Sequence, residues 1–310
     1  MLKRIALAVA LSSLAGGVSA DQFSFVALGD MPYGKPVDVY GAYEALIGKI
    51  NRRSPGFVMH VGNTKSGSTP CSDQMRDDQL GFLNSYDAAV IYTPGDNEWT
   101  DCHRKKAGEF DPLDRLAYIR TTYFADPATS LGKTPIALEH QGAEDYPENA
   151  RVTHKGVAFI AAHVVGSNNN FEIRDPAAAK EFFARNEATT RWLTDSFSAA
   201  GDADAIVVAI HADMFEFDFN SFGKEGWLRH SGFASFGPAL QKAAAEFGKP
   251  VLLVFGDSHV FRVFCPFPKT APNVTALEVF GAADTHAVKV EVDAASKGVF
   301  SFSPVINPAL

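Results

Sequence analysis

The chain has 310 residues, 46% hydrophobic, 12% aromatic and 21% charged, which supplies a large core and excludes a disordered chain. Its 28 Lys and Arg against 36 Asp and Glu leave a net charge of −8. A surface built for nucleic acid carries excess cations, so nucleic acid is excluded as the main partner, whereas a small anion held through a metal is not.

Residues 1–20 read as a targeting segment. Lys3 and Arg4 precede an apolar run from Ile5 to Leu14, and Val18-Ser19-Ala20 offers the small residues a signal peptidase reads. The run is shorter than the roughly 20 apolar residues that cross a bilayer, so a secretory signal cleaved after Ala20 is expected. The mature chain, 21–310, is expected to be a single domain without a membrane span, periplasmic or secreted. Its three cysteines, Cys71, Cys102 and Cys265, then meet an oxidising compartment, where an odd count leaves at least one unpaired. Cys71 and Cys102 each follow a polar, site-like loop and are the favoured pair. No CxxC spacing points to a cysteine zinc site.

In chain order, apolar runs at 23–28, 57–61 and 88–93 predict strands, separated by amphipathic helices at 37–53 and 73–86. A third helix is expected over 112–124, with Pro112 suited to its first position. Buried strands at 157–164 and 205–210 flank a helix over 176–199, and a helix at 238–247 leads into a strand at 251–255. The tail, 274–302, alternates as strands do and should close a sheet edge. Residues 100–111 and 126–149 read as surface insertions. The stretch 214–222 alternates Phe with acids, as a flap or an interface would. Ligands in such α/β chains collect beyond the carboxyl ends of the strands.

Those ends carry polar residues in series: Gly29-Asp30-Met31-Pro32-Tyr33, Gly62-Asn63-Thr64-Lys65, Gly95-Asp96-Asn97-Glu98-Trp99, the single His211, and Gly256-Asp257-Ser258-His259. One Gly-Asp pair is an ordinary turn. Four Gly-Asp or Gly-Asn pairs and a histidine, each directly after an apolar strand, point to hard oxygen and imidazole ligands suited to Mn, Fe or Zn. In order and spacing along nearly the whole mature chain, this series resembles the calcineurin-like metallophosphoesterases, whose motifs read DxH, GD, GNH(E/D), a lone His and GHxH. The resemblance implies an αββα sandwich of two mixed sheets flanked by helices, one or two divalent metal ions, and hydrolysis of a small phosphorylated substrate by a metal-bound hydroxide. By the same resemblance Asp30 and His259 bind the first metal, and Asp96, His211 and Asp257 the second. Asn63 stands where the family has its bridging aspartate, and Glu98 orients neighbouring groups.

The departures from that pattern carry chemistry. Pro32 replaces a ligand histidine, Asp96 a ligand asparagine, and Asp257 a ligand histidine. Asn97 takes the place of the histidine that protonates the leaving group, which an amide cannot do near neutral pH; His103 is the substitute offered by the adjoining loop. Asn63 offers a neutral amide where two cations need an anionic bridge, so one tight metal, at the second position, is expected. A catalytically impaired metal- or phosphate-binding protein is therefore the competing reading.

Around the core set, Lys65 and Ser66 offer a cation and a hydroxyl to phosphate, or Lys65 is a solvated loop lysine. Arg262 reads as a structural ion-pair partner before a phosphate clamp. The run Gly166-Ser167-Asn168-Asn169-Asn170 either caps a turn or binds substrate, with Asn168 as the substrate-binding candidate. Trp99 and Tyr33 wall a cleft or pack, and His163 has no assigned role. Gly-Asp-Ser-His at 256–259 resembles a nucleophile turn, but GxSxG is absent there.

Overall fold

Alternation within the strands decides the layering. In β1 (Phe23–Leu28), Phe25 and Ala27 point one way, where they join Phe57 and Met59 of β2 (Phe57–His60) and Ile91 of β3 (Ala89–Tyr92). Val26 and Leu28 point the other way, onto Tyr43, Leu46, Ile47 and Ile50 of helix α1 (Pro36–Arg53). Both faces of the strand are apolar because both are covered, as central strands of layered α/β folds require. The computed structural model describes residues 22–216 and 230–310. The expected signal segment, 1–20, and most of the Phe-rich stretch, 214–222, lie outside those residues.

Helices α2 (Asp73–Leu83) and α3 (Pro112–Thr122) share the outer face of the first sheet with α1. The chain then builds β4 (Glu139–Gln141), β5 (Tyr146–His154) and β6 (Val157–Ala161), crosses through helix α4 (Pro176–Ala199) to β7 (Ala205–Ala209), and continues through α5 (Phe236–Phe247) to β8 (Val251–Phe255). It closes with β9 (Arg262–Phe264), β10 (Val274–Glu278), β11 (Ala287–Val292) and β12 (Phe300–Val305).

The first sheet has the order β12-β11-β1-β2-β3 and the second β4-β5-β6-β7-β8-β10-β9. β1, β2 and β3 run parallel, as do β6, β7, β8 and β10, while β11, β12, β4, β5 and β9 pair antiparallel. Both sheets are thus mixed. Phe159, Val207 and Leu252 of the second sheet meet Phe25 and Met59 of the first, and Trp192, Leu193 and Leu240 cover its outer face. The result is the four-layer αββα sandwich, with the strand ends of both sheets opening on one rim. No helix among the described residues is long and apolar enough to cross a membrane.

Two expected insertions are structural instead. Residues 126–149 contribute β4 and the start of β5, and Glu148 and Asn149 are fully buried. There Glu148 binds Arg120 (2.5 Å) and the Nδ1 of His163 (2.8 Å). Residues 100–111 also turn inward: Thr100, Asp101, Cys102 and Ala107 are buried, and Cys102 is joined to Cys71 by a disulfide. Cys265 is free and exposed. Polar composition made both segments read as surface, but their polar groups are satisfied by partners distant in sequence.

Candidate metal centre

The glycines that precede the strand-end residues let two loops touch. A Cβ on Gly62, whose φ is +86°, would lie 2.5 Å from the Gly95 nitrogen, and one on Gly95 would lie 2.2 Å from Asn63 Oδ1. Glu98 ties the same two loops, accepting from the backbone N–H of Thr64 and of Gly95 (3.0 Å). Of the 13 non-glycine residues with positive φ among the described residues, eight lie in these turns: Asp30, Asn63, Ser167 to Asn170, Asp257 and His259. Left-handed backbone is costly for side-chain-bearing residues, and here it is concentrated at one rim.

Asp96, His211 and Asp257 present ligand atoms that all lie within 4.8 Å of one another. His211 Nε2 stands 3.1 Å from Asp96 Oδ1 and 3.8 Å from Asp257 Oδ1. Its Nδ1 donates to the Val61 carbonyl at 2.9 Å, which fixes the ring and aims Nε2 into the cluster. Burial opposes ionisation of Asp96, but the hydrogen bond and charge of His211 hold it below the usual carboxylate range. Burial, reinforced by Asp96, pushes Asp257 well up. Burial alone would lower His211; the surrounding carboxylates raise it instead. Two converging carboxylates, one buried and one half-buried, around one imidazole form a donor set that suits a divalent cation.

Asp30 and His259 form a second, sparser pair. His259 Nε2 lies 3.5 Å from Asp30 Oδ1, and the other Asp30 oxygen accepts the backbone N–H of Asp257 at 2.8 Å. Tyr33 donates to Asp30 Oδ1 (3.0 Å) and stands edge-on to His259. Asn97 donates through Nδ2 to the Tyr33 hydroxyl at 2.9 Å. Asn63 is spent on the scaffold: its Nδ2 donates to Asp96 Oδ1 (2.8 Å), and its Oδ1 accepts from the Asn97 backbone (2.9 Å).

Other sequence candidates sit differently. Lys65 is buried, with Nζ donating to the Ser66 carbonyl at 3.2 Å; burial and then Arg76 bring it down to about 8, against the pull of Glu98, Asp101 and Asp96. His103 is exposed in an adjoining cavity of about 390 Å³, its Nδ1 2.6 Å from the Thr100 carbonyl. Asn168 donates to the Phe171 carbonyl and to Ser231, and accepts from the Gly232 backbone. It is Ser167 that faces the cluster, with Oγ 2.9 Å from Asp96 Oδ2 and 2.8 Å from Asp101 Oδ1. Arg262 binds Glu278 and Asp213, each at 2.6 Å, and Ser258 donates to Asp213 at 2.7 Å. Trp99 is buried against His163 and Arg185. Sequence reasoning did not single out Ser167 or Asp213. A serine within an Asn run and an acid two residues beyond a ligand histidine were the available signals.

No protein-family model and no curated protein matches the sequence. Among solved structures, the chain is similar to the purple acid phosphatase PPD1 of yellow lupin (Lupinus luteus) seeds, with a TM-score of 0.51 and 11% identity over 93% of this chain. The fold is that of the calcineurin-like phosphoesterases. The match covers 55% of the lupin enzyme's chain. At that identity the shared property is the fold, and the αββα sandwich that the family resemblance implied is the architecture found.

Proposed function

We propose that this chain is an exported, metal-dependent phosphoester hydrolase acting on a small phosphorylated substrate. The observation that carries this reading is the convergence of Asp96, His211 and Asp257 at the strand-end rim of a phosphatase-like fold. The surroundings fit a cation: a Cβ on Gly166 would fall 2.6 Å from Asp257 Oδ1 and 2.7 Å from Asp96 Oδ2, so only glycine leaves those carboxylates open. A divalent ion held there polarises a phosphoryl oxygen and lowers the pKa of a coordinated water. His211, fixed by Val61, turns Nε2 toward Asp96 and Asp257, which supply the charge. Asp30 and His259 form a weaker flanking site. Manganese, iron and zinc all suit these donors. The Cys71–Cys102 disulfide supports export, since such bonds persist in oxidising compartments.

The state of Asn63 favours a second reading, a metal- or phosphate-binding protein without turnover. Its amide oxygen is occupied by the Asn97 backbone, and no carboxylate stands at that position. Metal content by elemental mass spectrometry, with hydrolysis of p-nitrophenyl phosphate and bis-p-nitrophenyl phosphate, separates the two. One tightly bound metal with turnover supports the hydrolase. Metal without turnover in the natural chain, with a second metal and activity appearing in Asn63→Asp, supports the binding protein. No metal after incubation with excess Mn²⁺ or Zn²⁺ overturns the hydrolase and leaves, of the second reading, only a phosphate-binding protein.

A further inference from the structure

The turn that carries Ser167 has a conformation that short-range forces do not supply. Ser167, Asn168, Asn169 and Asn170 have φ of 49°, 54°, 55° and 62°, four successive non-glycine residues in the left-handed region. Left-handed residues ordinarily occur singly, because each places Cβ against the following carbonyl at a cost of about 1–2 kcal/mol. Something outside the turn must hold it. Gly232 and Ser231 bond Asn168 and Asn169 from one side, and from behind stands Arg185 of α4, fully buried with its guanidinium beneath the turn. Nη1 donates to Asn169 Oδ1 (2.8 Å) and to the His163 carbonyl (2.9 Å), and Nη2 donates to the Asn169 carbonyl (2.9 Å). Nε is held by Glu181 at 2.6 Å, and the guanidinium carbon lies 5.3 Å from the centre of the Trp99 ring. Asn169 Oδ1 also accepts the Val165 N–H. The residues on either side of Asn169 are thereby set: Gly166 lies against Asp96 and Asp257, and the Ser167 hydroxyl lies between Asp96 and Asp101.

We infer that Arg185 is a positioning residue for the metal centre, acting through Asn169 to lock the left-handed turn that seats Ser167 on Asp96. The inference rests on the functional reading above for the identity of the centre, but the lock itself is a property of the backbone. A planar fork of donors is needed to grip one side-chain and two backbone oxygens together. Lysine keeps the charge beside Glu181 and cannot reproduce that grip. Groups that orient metal ligands from behind change metal affinity by about 10- to 100-fold when removed.

The experiment compares the natural chain with Arg185→Lys, Ser167→Ala and the double variant. Mn²⁺ affinity is measured by calorimetry and amide exchange over residues 164–172 by mass spectrometry. The expected result is at least about tenfold weaker Mn²⁺ binding in Arg185→Lys, with faster exchange confined to that segment. In the Ser167→Ala background the added effect of Arg185→Lys on Mn²⁺ affinity should shrink to less than about twofold, since coupled residues are not additive. Losses that multiply in the double variant, or a lowered melting temperature with unchanged Mn²⁺ affinity, would reduce Arg185 to a packing role. The two failures are read separately: a natural chain that binds neither Mn²⁺ nor Zn²⁺ overturns the functional reading, and unchanged exchange in Arg185→Lys overturns the lock. Should Arg185→Lys fail to fold, Asn169→Ala removes the same Oδ1 contacts while leaving the arginine in place, and the same outcomes apply.

Discussion

The two halves of the strand-end site differ in kind. Around His211, three ligand atoms converge within 4.8 Å, two of them from opposite sheets. Around Asp30, one carboxylate faces one imidazole at 3.5 Å, and the third direction is taken by the Tyr33 hydroxyl. Pro32, two residues beyond Asp30, brings no donor atom to that pair. Asn63 joins the halves through hydrogen bonds to Asp96 and Asn97 and brings no charge of its own. One half thus gathers three candidate ligand atoms and the other two. A fold delivers positions, and the side chains decide which of them can hold an ion.

The largest expected effect breaks the complete half. His211→Ala should reduce bound metal to background and lower phosphoester turnover by more than about 100-fold, whereas His259→Ala should cost on the order of tenfold. Equal losses in the two variants, by elemental analysis and turnover, would remove the asymmetry. A subtler pair leaves every ligand in place. Gly166→Ala puts a methyl 2.6 Å from Asp257 Oδ1 and 2.7 Å from Asp96 Oδ2, and should weaken Zn²⁺ binding by about 10- to 100-fold. Gly281→Ala crowds Asp30 Cβ (2.5 Å) and His259 Cδ2 (2.9 Å) and should leave the tight metal within about threefold of the natural chain. Calorimetry on the two proteins reads the contrast directly.

Smaller effects concern what stabilises the Asp96 side. The disulfide closes a separation of 31 residues and anchors the loop that follows Asp96. Replacing both cysteines by Ser should lower unfolding stability by about 2–4 kcal/mol, measured by denaturant titration, with the strand-end geometry retained. Beneath the same side, burial holds His163 down to about 4 despite Glu148, and it packs neutral beside Trp99. Its folded pKa lies below the ordinary 6.5, so its contribution is complete above pH 6.5 and is lost as pH falls towards 4. Glu148, held down to about 2 by His163 and Arg120 against the effect of burial, extends the same acid loss from pH 4.5 downward. Stability should therefore fall by at most about 3 kcal/mol between pH 6.5 and 4 on account of His163, and His163→Gln should flatten that window. A melting temperature independent of pH over that range would contradict the buried neutral imidazole.

Much of the architecture was legible because its signals are local. Strands expected at 23–28, 205–210 and 251–255 and the helix at 176–199 match the observed elements to within a residue. Apolar alternation and period require no knowledge of partners. The Gly-Asp and Gly-Asn turns marked the rim for the same reason: glycine before a polar residue states a local backbone demand. Asp96, His211 and Asp257 each follow a strand, which put them at the strand-end rim, and the family resemblance grouped them as one ligand set.

The remaining features depended on neighbours far along the chain. Lys65 could not be read as buried, nor Glu148 as the centre of an ion-pair network, because their partners come from other elements. The amide of Asn63 is occupied by the Asn97 backbone only because β2 and β3 lie side by side. Ser167 and not Asn168 faces the carboxylates because four left-handed residues rotate the run, and Arg185, on a helix behind it, holds that rotation. By itself the sequence determined most of the central strands and helices, though not β4 or β5, and which turns carry ligand-type residues, since periodicity and glycine placement act over a few residues. Only the tertiary structure decided which donors are free, which are spent on the scaffold and which face the site, because those outcomes belong to contacts between elements that the chain brings together from 16 to 227 residues apart.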